Sequence, residues 1–299
     1  MRIGLLGTGP WAERVHAPAL AAHPEVELAG VWGRRPEAAS ALAAGYEVPA
    51  YADVDKLFAE ADAVSIALPP AVQAEFAVRA AEAGCHLLLD KPVALTVPEA
   101  RRVAEATARA GVASVVFFTL RFGGTQAPWL AEQAAREGWF TARCEWLGSV
   151  FTADSPYAAS PWRREKGALW DVGPHALSVL LPVLGDAVQV TGAQGPGDTV
   201  HLVLRHAAGA SSTATLSLTT PPGAAVDGVG LELRGTAGLT RMPDRDESPA
   251  TAFGRAVDAL LASARSGEPH PCDAAFGLRV VEILAAAEQS VATGAAVSL

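Results

Sequence analysis

The chain opens MRIGLLGTGPWAERVH (residues 1–16), and the reading of this stretch decides the fold. Residues 2–7 form an apolar run ending in glycine, the pattern of a buried strand. Gly7-Thr8-Gly9-Pro10-Trp11-Ala12 follows and leads into a helical pattern. Two glycines let the backbone turn tightly and come close to a pyrophosphate, whose charge then rests on the helix N-terminus; Ala12 takes the third, helix-packing position. A G-x-G also serves plain turns. Placed directly after a first strand and inside a β-α-β unit, it points to a dinucleotide.

The rhythm continues outward. Apolar runs at 2–7, 26–32, 62–69, 85–90 and 113–118 read as buried parallel strands, and helical segments lie near 11–23, 36–44, 53–60, 71–83 and 96–110. The last helix has a start signal, because Thr96 precedes Glu99 at capping-box spacing with Pro98 in the first turn. This alternation predicts a Rossmann-type, doubly wound parallel sheet. After residue 120 the grammar changes. A helix near 125–137, the run ARCEWLGSVF, a polar loop and a helix ending at Gly185 precede four alternating runs, VQVTGAQ, TVHLVLRH, STATLSLTT and GVGLELRG, which read as antiparallel sheet. Two helices close the chain, one from Ser248 or Pro249 and one from Asp273 to Gly294. The predicted class is α/β followed by α+β, with a nucleotide-binding domain over 1–119 and a second domain over 120–299.

Bulk properties exclude several functions. With 299 residues, half of them hydrophobic, and a net charge of -9, the chain reads as a folded protein of enzyme size without the basic face that nucleic acid or an anionic membrane needs. Cys85, Cys144 and Cys272 are scattered and outside C-x-x-C spacing, which fits buried thiols in a reducing cytoplasm and gives no metal site. The N-terminus reads as a strand and not a signal peptide. The run ALSVLLPVLG (176–185) is too short and broken to span a bilayer.

At the end of the second strand the sequence reads Trp32-Gly33-Arg34-Arg35-Pro36. The acid that would hold an NAD ribose is missing there, and two guanidiniums follow a small residue that leaves room for a phosphate, so NADP(H) is the expected cofactor with NAD(H) as the alternative. The fifth strand ends LLLDKPVAL (87–95). It delivers Lys91, one of three lysines in an arginine-rich chain, to the edge where ligands bind; lysine carries a movable proton and arginine does not. The stretch GALWDVGPH places Asp171 and His175 four residues apart, one helical face, although Pro174 also allows Asp171 to be an N-cap.

In order, strand-GTGPWA, Leu68-Pro69-Pro70, Asp90-Lys91-Pro92, Arg121-Phe122, Trp162-Arg163 and the G-x-x-x-D-x-G-x-H motif make the chain similar to the Gfo/Idh/MocA family, the group of glucose-fructose oxidoreductase and inositol dehydrogenase. The resemblance covers nearly the whole chain. It implies a Rossmann domain and a second domain with an open, mostly antiparallel sheet used for substrate and for homodimer or homotetramer contacts. It also implies hydride transfer to or from a sugar, sugar nucleotide, cyclitol or related ketone or alcohol. Lys91 matches a lysine that touches the reacting oxygen, His175 an acid/base histidine and Asp171 its supporting acid.

Together with the readings above, the expected cofactor contacts are Gly7, Thr8, Gly9, Pro10, Trp11, Gly33, Arg34, Arg35, Leu68, Pro69, Pro70, Gln73, Asp90, Lys91, Arg121 and Arg163. Three departures stand out. Asp90 replaces the family glutamate, Gln73 replaces the usual histidine, and the loop before the Asp-His motif is contracted to residues 163–167. The alternatives are a relative that recycles its cofactor to drive hydrolysis or elimination, and a catalytically idle NADP-binding regulator. His201 and His206 flank a strand on opposite faces and His270-Pro271-Cys272 reads as a loop, so neither set forms a centre.

Overall fold

The computed structural model describes residues 1–226 and 228–299, and the chain divides into two compact units, Met1–Phe122 with Glu247–Arg279, and Gly123–Asp246 with Val280–Leu299. In the first unit strands β1 (Arg2–Leu6), β2 (Glu27–Trp32), β3 (Ala50–Tyr51), β4 (Ala63–Ile66), β5 (His86–Asp90) and β6 (Ser114–Phe117) form a parallel sheet in the order β3-β2-β1-β4-β5-β6. That order reverses between β1 and β4, the switch point at which open α/β sheets bind ligands. Helices α1 (Ala17–Ala22), α2 (Pro36–Ala44), α3 (Val54–Glu60), α4 (Pro70–Glu82) and α5 (Val97–Ala110) connect the strands, and a π-helical turn at Ala12–His16 precedes α1. Strands β4 and β6 are buried along their whole length, as a sheet covered on both faces requires. The start of α5 is set as its sequence indicates, with Thr96 Oγ1 accepting from Glu99 N at 3.4 Å.

The second unit begins with α6 (Gln126–Ala134) and β7 (Trp139–Leu147), followed by α7 (Pro161–Asp171) and α8 (Gly173–Leu184). Strands β8 (Ala187–Gln194), β9 (Val200–His206), β10 (Ser211–Ser217), β11 (Gly230–Gly235) and β12 (Gly238–Arg241) join β7 in a mixed sheet. Its pairs are antiparallel except for β7 and β10. Alternating burial along β9 puts His201 outside and His206 inside, on opposite faces. The segment Pro161–Leu184 is long and apolar enough to cross a membrane by composition, but 89% of its apolar window is buried inside the protein, so it is a core element.

Helices α9 (Pro249–Ser266) and α10 (Ala274–Thr293) and the short β13 (Val297–Ser298) close the chain. A contiguous division at residue 119 differs from the compact units in two respects: the first unit runs on to Phe122, and residues 247–279 return to it. The reason is packing. Phe253 on α9 is fully buried, and its ring meets Phe117 of β6 edge-on at 4.9 Å. Truncating it leaves a cavity under the sheet, so Phe253→Ala is expected to lower unfolding free energy by about 3–5 kcal/mol in urea titration. An unchanged midpoint would show that α9 is dispensable to the first core.

Candidate active site

In the first unit the expected cofactor residues lie at the carboxyl ends of the parallel strands or in the turns and helix starts that follow. After β1, Gly7 adopts φ 123° and donates its N–H to Trp32 O at 2.8 Å. A Cβ at this position would stand 2.4 Å from Ala67 O, so only glycine lets the turn pass between the ends of β2 and β4. Gly9 differs, because a Cβ there would meet nothing within 4 Å. The protein itself leaves that space open, which is the fit a close-lying pyrophosphate requires. Thr8 and Trp11 are partly buried beside it, Pro10 is exposed, and Ala12 is fully buried at the helix-packing position.

A Cβ at Gly33 would lie 2.7 Å from Thr8 Cγ2, so the close approach of the Thr8 side chain is one reason for a glycine there. Arg34 and Arg35 are exposed at the end of β2 and the start of α2. Leu68 is half-buried after β4, Pro69 is exposed and caps α4, and Pro70 is buried as the first helical residue, where its missing N–H costs nothing. Arg121, in the turn after β6, lies over the Phe276 ring at 5.9 Å.

Gln73 has a structural role in addition to the one expected of it. It is fully buried, its Oε1 accepts from Asp90 N at 3.0 Å, and its Nε2 donates to Asp90 O at 2.7 Å and Pro92 O at 3.1 Å. Each of these bonds clamps the end of β5 from within the protein. Asp90 also turns inward: its Oδ1 accepts from Trp11 Nε1 at 3.1 Å, and its Oδ2 lies 3.5 Å from His16 Nε2. The shorter acid is thus fixed against residues of the first turn and helix. Lys91 follows, half-buried, with a cis bond to Pro92.

In the second unit Gly167 (φ 63°, ψ −163°) breaks α7. The Asp198 carboxylate catches the restarted chain by accepting from Ala168 N at 3.0 Å, and it also accepts from Ser217 Oγ, Leu218 N and Thr219 N at 3.0–3.1 Å. The segment thus held carries Asp171 at the end of α7 and His175 in the first turn of α8, with Val172 as the joint. The break at Gly167 precedes both residues and Val172 between them keeps right-handed helical angles (φ −108°, ψ −17°), so Asp171 and His175 keep the four-residue spacing of one helical face, with Pro174 in the first turn of α8. Asp171 accepts from Arg163 Nε at 2.9 Å, and Arg163 lies over the Tyr157 and Trp162 rings at 4.5 Å each. His175 is 6% exposed and stacks on Trp146 at 5.0 Å and 21°. An arginine-held carboxylate and a stacked imidazole on one short segment can bind and orient a polar group and exchange a proton with it.

Sequence reasoning missed His16, Ser65, Trp146, Tyr157 and Asp198. Except for Tyr157, which meets Arg163 six residues on, their partners are distant in sequence, and His16, as an isolated imidazole just after the glycine-rich turn, carried a local signal.

Comparison with known proteins bears on this arrangement. Residues 1–118 match the family model described as "Oxidoreductase family, NAD-binding Rossmann fold", and residues 143–241 match the GFO/IDH/MocA C-terminal domain. The chain belongs to the Gfo/Idh/MocA oxidoreductase family. This family member is 31% identical over 199 residues to D-glucoside 3-dehydrogenase of Escherichia coli (strain K12), a match covering 62% of the chain and 54% of the relative, about half its length. It is 28% identical over the full length of both chains to D-xylose 1-dehydrogenase (NADP(+)) 2 of Haloferax volcanii. Its fold matches levoglucosan dehydrogenase in complex with NADH and levoglucosan, with a TM-score of 0.86, 22% identity and coverage of 100% and 99%. A dehydrogenase from Bordetella pertussis in complex with NADH and UDP-GlcNAcA gives a TM-score of 0.84 at 22% identity, covering 100% and 98%.

The clamp on β5 gives a direct test. Gln73→Ala strands buried backbone groups of Asp90 and Pro92 and is expected to lower stability by roughly 1–3 kcal/mol for each group left unsatisfied. If Gln73 instead serves only as a cofactor ligand, denaturation without cofactor will be unchanged and only cofactor affinity will fall.

Proposed function

We propose that the protein is an NAD(P)-dependent dehydrogenase or reductase of a small polyhydroxylated substrate: a sugar, sugar nucleotide or cyclitol. The observation that carries this reading is the glycine turn at the sheet's switch point, with Gly7 sterically obligatory and the space at Gly9 open, in a chain of this family. A bound nicotinamide dinucleotide supplies the hydride acceptor or donor. The remaining requirement is proton exchange with the substrate oxygen by a group that titrates near neutrality, which assigns His175 as acid/base. Asp171, held by Arg163, supports that segment electrostatically, and Lys91 polarises the reacting oxygen or shares its proton.

The proposed cofactor is NADP(H). Exposed Arg34 and Arg35 at the end of β2 are suited to a 2′-phosphate, and no carboxylate stands among residues 32–36. A full-length relative is named for NADP(+), whereas the two structural neighbours were captured with NADH, so the arginines carry the preference. The proposed setting is cytoplasmic. Burial pushes Cys144 up to about 12 and Cys85 and Cys272 up to about 11, so these thiols stay protonated and unreactive. Partners are a small substrate and further copies of the chain in a homodimer or homotetramer, without nucleic acid or membrane.

Absorbance at 340 nm with either cofactor, across aldoses, ketosugars and cyclitols, tests the activity. Net turnover is expected with at least one class, and His175→Asn is expected to cost on the order of 10²–10⁴ in kcat. Product formation without net absorbance change would instead identify a cofactor-recycling lyase or hydrolase, and full cellular function after loss of both Lys91 and His175 would identify a regulator. Separately, Arg34→Ala is expected to weaken NADP(H) binding by roughly ten- to a hundredfold and leave NAD(H) unchanged, since a charge-assisted phosphate contact contributes about 1.5–3 kcal/mol. Equal affinities before and after the change would remove the basis for an NADP preference.

A further inference from the structure

The first unit contains a polar group of side chains that the proposed chemistry does not use. His16 and Ser65 are each fully buried, with His16 Nδ1 2.8 Å from Ser65 Oγ and His16 Nε2 3.5 Å from Asp90 Oδ2. His16 Nε2 makes no hydrogen bond and has the Asp90 carboxylate as a charged neighbour, and the ring packs on Phe253 at 4.1 Å between centroids. The order Ser-His-Asp invites comparison with a nucleophilic triad. Ser65 lies inside β4 with no exposed surface, so no substrate reaches its hydroxyl.

The geometry points instead to a fastening. A carboxylate only accepts hydrogen bonds, so His16 faces Asp90 favourably with its proton on Nε2, and Nδ1 then accepts from the Ser65 hydroxyl. Asp90 is consequently held by three hydrogen bonds, its N–H and C=O by Gln73 and one carboxylate oxygen by the Trp11 indole, while the other carboxylate oxygen faces His16 Nε2 at 3.5 Å, a longer electrostatic contact. The next residue is Lys91. We propose that His16 is a positioning residue for Lys91: through Asp90 it ties the helix following the glycine-rich turn to the end of β5, fixing where the lysine leaves the sheet. The inference rests on the assignment of Lys91 to the reacting oxygen, and it gives the shorter acid at position 90 a role.

The scarcity of lysine makes the test direct. In protein labelled with 13C at lysine Cε, Lys56, Lys91 and Lys166 give three signals, assigned with Lys56→Arg and Lys166→Arg. His16→Ala is expected to shift the Lys91 signal and leave the other two in place. His16→Gln, whose amide offers a donor near the place of Nε2, is expected to restore it. With an active substrate in hand, His16→Ala is expected to lower kcat about tenfold or more with substrate KM unchanged, since a small misplacement of a reacting group acts on the chemical step. A Lys91 signal unmoved in His16→Ala, or equally displaced in His16→Ala and His16→Gln, would overturn the proposal. If His16→Ala does not fold, His16→Leu, which keeps apolar bulk against Phe253 but has no donor, takes its place: a moved Lys91 signal supports the fastening and an unmoved one refutes it. A shifted Lys91 signal in a protein without oxidoreductase activity supports the fastening and sinks the functional reading alone.

Discussion

Everything in the first unit depends on how closely the end of β1 approaches the end of β4. At Gly7 the distance left for a side chain is smaller than any Cβ contact allows, so the chain must turn there without one. That closeness lets the turn run along the carboxyl edge of the sheet, at the place where strand order reverses. The same edge receives the ends of β2, β4, β5 and β6. One steric constraint in seven residues therefore decides where the remaining residues of the unit can be functional.

Given that edge, the structure fixes what emerges from it with hydrogen bonds drawn from the interior. Gln73 supplies both acceptor and donor to the backbone of Asp90, while Trp11 donates to its carboxylate. Buried polar groups of this kind are costly unless they are paired, and paired they specify one geometry. The second unit uses the same device: the Asp198 carboxylate gathers backbone donors from the end of β10 and from Ala168, beside a glycine that breaks the helix. The chain then re-enters a helix carrying Asp171 and His175. Neither fastening residue touches the proposed chemistry, yet each sets the local direction of a residue that does.

Much of the fold was legible because its signals are local. The glycine turn, the alternation of apolar and helical segments, the Thr96 cap and the change of pattern after residue 120 each need only a few neighbouring residues to be read. What was not legible shares a cause. The Thr8 side chain that crowds Gly33 lies 25 residues earlier in the chain. The backbone groups that Gln73 clamps follow 17 and 19 residues later. The break at Gly167, just ahead of the segment with Asp171 and His175, is held by Asp198, 30 residues on from Ala168.

By itself the sequence determined the class of fold, the edge on which a dinucleotide is expected and the residue types suited to moving a proton, because periodicity, turn chemistry and side-chain type are properties of short stretches. Tertiary structure alone decided that residues 247–279 complete the first unit, that Gln73 is a clamp and that Asp90 faces Trp11 and His16. Those outcomes depend on which buried donor meets which acceptor across strands far apart in the chain, and that pairing exists only once the sheet has closed around them.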